Sequence, residues 1–171
     1  MQMAFMKADT QMFHLSDELK VPWDLREWFD AATLRGWIDE EIGTLAWTSP
    51  QVVEYLRQRP GFDPQVLLRL LTYAYATAAF ESDDIARRPG VEPEYQAIVG
   101  PSWRMEGPGL TRFRRENRGL LKWSLVQLLK RALRARLGDL MLPPGLKRRL
   151  LDAAVARVDL ARQMDRGYDG L

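Results

Sequence analysis

Apolar residues recur along most of the chain at intervals of three and four, the spacing that lines one face of an α-helix. Pro and Gly fall between these periodic segments, and no internal repeat or low-complexity tract interrupts them. Ser16 can cap a short turn, Ser16-Asp17-Glu18-Leu19, ahead of Pro22. From Trp23 to Leu45 the positions Leu25, Trp28, Phe29, Leu34, Trp37, Ile38, Ile42 and Leu45 predict two helices broken near Asp30 to Thr33. Ser49-Pro50 opens another, an N-cap followed by proline at the first helical position, carrying Val52, Val53 and Leu56 up to Pro60-Gly61. Asp63-Pro64 repeats that signal and begins the most apolar helix, running to about Phe80; apolar nearly all round, it is expected at the centre. Ser82-Asp83-Asp84-Ile85 caps a short successor ending at Pro89-Gly90, and Glu92 to Val99 makes one more short helix.

After a loop from Ser102 to Gly109, a long helix is expected from about Leu110 to Leu137, with Gly138 as its C-cap and Leu121, Leu125, Leu128, Leu129 and Leu133 as its stripe. Pro143-Pro144 separates it from a final helix, about Gly145 to Met164. No segment reads as a strand. The pattern predicts an all-α fold: a compact multi-helix bundle with a long basic helix and a C-terminal helix. Its expected divisions are an N-terminal segment 1–22, a helical domain 23–137 and a helical extension 138–171.

At 171 residues and 46% apolar content with six tryptophans, the chain can bury a real core. Cysteine is absent, which excludes disulfides and thiolate metal sites. The opening Met1 to Lys7 lacks the pattern of a signal peptide, and no stretch approaches the roughly 20 apolar residues of a membrane span, so a cytoplasmic protein with no membrane partner is expected. Net charge is only +2, but residues 1–100 hold 9 Lys/Arg against 16 Asp/Glu, whereas residues 101–171 hold 16 against 7. Within 112–149 stand twelve cations: Arg112, Arg114, Arg115, Arg118, Lys122, Lys130, Arg131, Arg134, Arg136, Lys147, Arg148 and Arg149. Only Glu116 and Asp139 oppose them. A field of that sign attracts polyanions, or the acidic half of another copy.

Three separated motifs carry a family resemblance. Pro60-Gly61-Phe62-Asp63-Pro64-Gln65-Val66-Leu67-Leu68-Arg69-Leu70-Leu71-Thr72-Tyr73-Ala74-Tyr75 resembles a segment of the N-terminal helical, DNA-binding domain of DDE-type insertion-sequence transposases. Glu81-Ser82-Asp83-Asp84-Ile85 stands where that family turns into its next helix, with acidic residues replacing a basic turn. Gly107 to Asn117, containing Leu110-Thr111-Arg112-Phe113-Arg114-Arg115, resembles its Thr- and Arg-bearing motif, with Gly109 in place of an aspartate. Leu25-Arg26-Glu27 is similar to the short upstream segment, so the resemblance spans roughly residues 24–122. In the family a strand with the first metal-binding aspartate comes soon afterwards. Here helix, Pro143-Pro144 and helix follow. Two-metal chemistry needs carboxylates converging on ions about 3.5–4 Å apart. The resemblance therefore implies the recognition part of a transposase without its catalytic core.

The residues expected to meet DNA are Arg112, Arg114, Arg115, Arg118, Lys122, Lys130, Arg131, Arg134, Lys147, Arg148 and Arg149, since guanidinium groups suit bidentate phosphate and guanine contacts. On one continuous helix, Arg115, Arg118 and Lys122 would share a face with Arg112 one turn earlier. The same cations also fit an acidic protein surface or a solvated outer face. Lys147-Arg148-Arg149 opens a helix against its dipole, which stability alone mildly disfavours. Trp23, Trp28, Phe29, Trp37 and Trp47 fall at helix-period positions and are expected in the core. Trp103 and Trp123 suit the core or a partner anchor. His14 is the only histidine, Asp39-Glu40-Glu41 and Asp83-Asp84 read as solvated or capping carboxylates, and Gly107-Pro108-Gly109 lacks phosphate-loop spacing. The expectation is a non-enzymatic DNA-binding module without cofactor; the alternative is a protein-interaction adaptor or oligomerising subunit.

Overall fold

In a computed structural model the described residues are 12–16, 19–45, 50, 54, 63–138 and 145–165. They form a mostly helical fold with one small hairpin. Strands β1 (Met12–His14) and β2 (Lys20–Pro22) pair antiparallel, with Phe13 opposite Val21. This hairpin corrects the expectation of no strands. Leu15 and Ser16 N–H donate to Leu19 O at 2.8 and 3.1 Å, and Leu19 N–H donates to Ser16 Oγ, so Ser16 closes a hairpin turn.

A 3-10 turn, Leu25–Glu27, precedes α1 (Ala31–Gly43), whose cap Asp30 accepts from Thr33 N at 2.7 Å. The expected break near Asp30 is therefore a cap. The helix from Ser49-Pro50, together with Trp47, lies outside the described residues except at Pro50 and Glu54. Helix α2 (Pro64–Ala76) starts on the Asp63 cap with Pro64 at its first turn, and everything from Leu70 to Ala76 is buried. It stops four residues short of Phe80. Thr77 leaves helical geometry, bridges to Asp24 and turns its Oγ1 back onto Tyr73 O, and Ala78 then takes a positive φ of 62°.

Helices α3 (Ser82–Arg87), α4 (Pro93–Val99) and α5 (Gly107–Glu116) follow, then α6 (Arg118–Leu137) and α7 (Leu146–Met164). The expected single helix from Leu110 is thus two. Asn117, at φ −126° and ψ 33°, breaks the ladder; its N–H and Nδ2 both donate to Phe113 O, closing α5. Glu81, with Ser82 inside the helix, is the N-cap of α3.

Helix α2 packs against α1, α4, α6 and α7, and α6 against α1, α2 and α7. One hydrophobic cluster runs from Leu15 and Val21 through Leu34, Leu71, Leu125 and Val158 to Ala161, crossing the segment boundaries at 22 and 138. Trp23, Trp28, Phe29 and Trp37 pack on its flank, with Phe29 and Trp37 edge to face at 4.9 Å. Trp103 packs there too, its Nε1 donating to Ala86 O at 3.0 Å.

Burial raises the hydroxyl pKa of Tyr73, Tyr75 and Tyr95, the last to about 12, because desolvation penalises phenolate. The sign follows: a folded pKa above the unfolded value of 10 gives stability that is present below pH 10 and lost as pH climbs towards 12. Tyr95→Phe should therefore lose stability less steeply than wild type between pH 10 and 12. The difference should approach about 1.4 kcal/mol per pH unit, and the two should run parallel below pH 9. Urea titrations across that range read the difference directly.

Candidate nucleic-acid interface

Helix α5 turns Gly107, Leu110, Thr111, Phe113 and Arg114 inward, which leaves Arg112 and Arg115 exposed on its opposite side. Arg118 is exposed at the first residue of α6 and Lys122 is half-buried one turn on. These four cations come from two helices joined at Asn117, so helical spacing across the break does not align them. Lys130 is half-buried and Arg134 and Arg136 are exposed further along α6, with the Arg136 guanidinium 5.1 Å from the Trp28 ring centre. Lys147, Arg148 and Arg149 are exposed in the first turn of α7.

Arg114 and Arg131, both expected contact residues, are engaged within the fold. Arg114 is only 3% exposed and pairs with Asp165, so it is a core residue. Arg131 pairs with Glu40 at 2.7 Å and Glu41 at 3.5 Å on α1 and lies over the Trp37 ring. Among the described residues no carboxylate forms an ion pair with Arg112, Arg118, Lys122, Lys130, Lys147, Arg148 or Arg149. Five carboxylates of the front half are met by that half's own arginines: Arg26 with Asp24, Arg35 with Glu94, Arg69 with Asp39, and Arg88 with Asp84 and Glu92.

The ends of α6 and α7 are fixed relative to each other by Asp165. This residue caps the carboxyl end of α7 and pairs with Arg114, four residues before α6 begins at Arg118. The two helices pack together and therefore run antiparallel. Lys147 to Arg149 accordingly lie towards the Leu137 end of α6, and Arg112 to Lys122 lie at the other end.

Two buried polar centres escaped the sequence reading. Asp165 accepts from Ser82 N at 2.8 Å, Ser82 Oγ at 2.5 Å, Thr111 Oγ1 at 3.2 Å and Arg114 Nη1. Arg157, fully buried, donates to the carbonyls of Pro22, Trp23 and Tyr75 at 2.8, 2.6 and 2.6 Å. Burial pushes its guanidinium down to about 9, which still leaves a cation at neutral pH. The arginine of each centre had a sequence signal. Arg157 stands seven after Leu150 and four before Ala161, on the apolar stripe of its helix, and Arg114 stands four after Leu110.

Many of the described residues in the motifs that carry the family resemblance are cap and core positions: Asp63 caps, Leu67, Leu70, Leu71, Tyr73 and Tyr75 are buried, and Thr111 and Arg114 serve the Asp165 centre, while Arg112 and Arg115 face outward. Among the described residues no group of three or more His, Cys, Asp or Glu is placed to hold a metal, and no helix is long and apolar enough to cross a membrane. No family model, curated protein or solved structure matches the chain.

Proposed function

We propose that this protein is a non-catalytic, cytoplasmic DNA-binding helical module, akin to a transposase N-terminal domain and acting as a regulator or a domesticated transposase fragment. The observation that carries the reading is the set of seven cations on α5, α6 and α7 that meet no carboxylate among the described residues. Arg112 and Arg118 offer planar guanidinium forks to phosphate oxygens, with Lys122 as a point charge beside them. Phosphate contacts dominate such a surface, so affinity depends steeply on salt.

The rival reading, an adaptor or self-associating subunit, draws on the opposite charges of the two halves. Against it, Asp39, Asp84, Glu92 and Glu94 of the front half are already engaged by arginines of that same half. An anisotropy titration of a labelled random-sequence duplex at 50 and 200 mM salt tests the proposal. Binding should weaken by about 10³-fold or more over that range if six or more phosphates are contacted. No binding at 50 mM removes the reading.

A further inference from the structure

We propose that the molecule grips duplex DNA at two separated points, one at each end of the antiparallel α6–α7 pair, and so needs a minimum length of duplex. This rests on the DNA-binding reading and specifies how that surface is used. The first point is Arg112 and Arg118 with Lys122, where α5 gives way to α6. The second is Lys147, Arg148 and Arg149, beside the far end of α6. Between them on α6 stand Lys130, half-buried, and Arg131, which Glu40 and Glu41 engage, so the cations between the two points are withdrawn or paired.

The separation follows from helix geometry. Sixteen residues of α6, from Arg118 to the turn of Arg134, rise about 24 Å at 1.5 Å per residue. Duplex DNA advances about 3.4 Å per base pair, so 24 Å corresponds to about seven base pairs. A lone nucleotide or a very short stem reaches one point only. Successive residues on a helix point about 100° apart, so Lys147, Arg148 and Arg149 fan around the end of α7, leaving only the side of Leu146 and Leu150 without a cation.

The test uses the full chain and two G·C-rich DNA hairpins with stems of 5 and 16 base pairs, over a salt range in which melting curves show both fully paired. The logarithm of the association constant is plotted against the logarithm of salt concentration for each, since its slope counts phosphates neutralised and is insensitive to how many sites a stem offers. The 16-base-pair stem should give a slope about twice that of the 5-base-pair stem. A Lys147→Ala/Arg148→Ala/Arg149→Ala variant, altered only at exposed positions, should bind the longer stem with a slope lowered by about 2 to 3 and leave the shorter stem's slope changed by less than 1. Equal slopes on both stems, or a variant indistinguishable from wild type on the longer one, overturn the two-point grip while leaving DNA binding in place. Failure of the wild type to bind either stem at low salt overturns the DNA reading itself.

Discussion

Asp165→Ala should cost about 3–5 kcal/mol of folding stability, the size expected when one partner of a buried ion pair is removed. Asp165 is fully buried and takes hydrogen bonds from α3, through Ser82, and from α5, through Thr111 and Arg114. Without the carboxylate, the Arg114 guanidinium stays in the interior with its charge unanswered, and the Ser82 N–H loses its acceptor. The paired substitution Arg114→Met/Asp165→Leu should cost less than Asp165→Ala alone, because it removes the orphaned charge along with its partner. Urea denaturation of the three proteins checks the ordering. Equal losses for the single and the double variant would mean that the pair acts only by filling space.

Arg157→Ala should cost about 4 kcal/mol, and Arg157→Met about 2–3 kcal/mol. The guanidinium supplies donors to three carbonyls, two at the end of the hairpin and one on α2, and each carbonyl stripped of its donor while buried costs about 1–3 kcal/mol. Removing the cation also relieves its own desolvation, an opposing effect of several kcal/mol that keeps the net loss below the sum of three orphaned acceptors. Methionine restores most of the lost volume and none of the donors, so the gap between the variants measures the cavity and the methionine loss measures the hydrogen bonds. The hairpin should suffer first: amide exchange at Phe13 and Val21 should quicken before exchange in α2 does. Uniform quickening throughout would show that Arg157 supports the core generally and is no specific tie to β2.

The helices were legible because their signals are local. Asp63 caps where the sequence places it, the helix boundary expected near Asp30 is there, Gly138 ends α6 with a φ of 79°, and the all-apolar helix is the buried one. The failures were of two kinds. Strands of three residues are too short to establish an alternation, so Met12–His14 and Lys20–Pro22 gave no strand signal, and Asn117 breaks a helix without Pro or Gly to mark it. The second kind concerns which arginines face inward. Charge counts treat Arg112, Arg114 and Arg115 alike, yet the rotation of a ten-residue helix buries only the one in register with Leu110. That register could have been read; the capture of Arg131 by Glu40 and Glu41 depends on α1 packing against α6 and could not.

If Arg112, Arg118 and Lys122 meet phosphates, the salt dependence of duplex binding should differ between wild type and Arg112→Ala/Arg118→Ala/Lys122→Ala. Each phosphate contact contributes about 0.9 to the slope of log association constant against log salt. The variant should keep the wild-type helical circular dichroism and bind with a slope shallower by about 2 to 3. An unchanged slope in a folded variant would contradict the account.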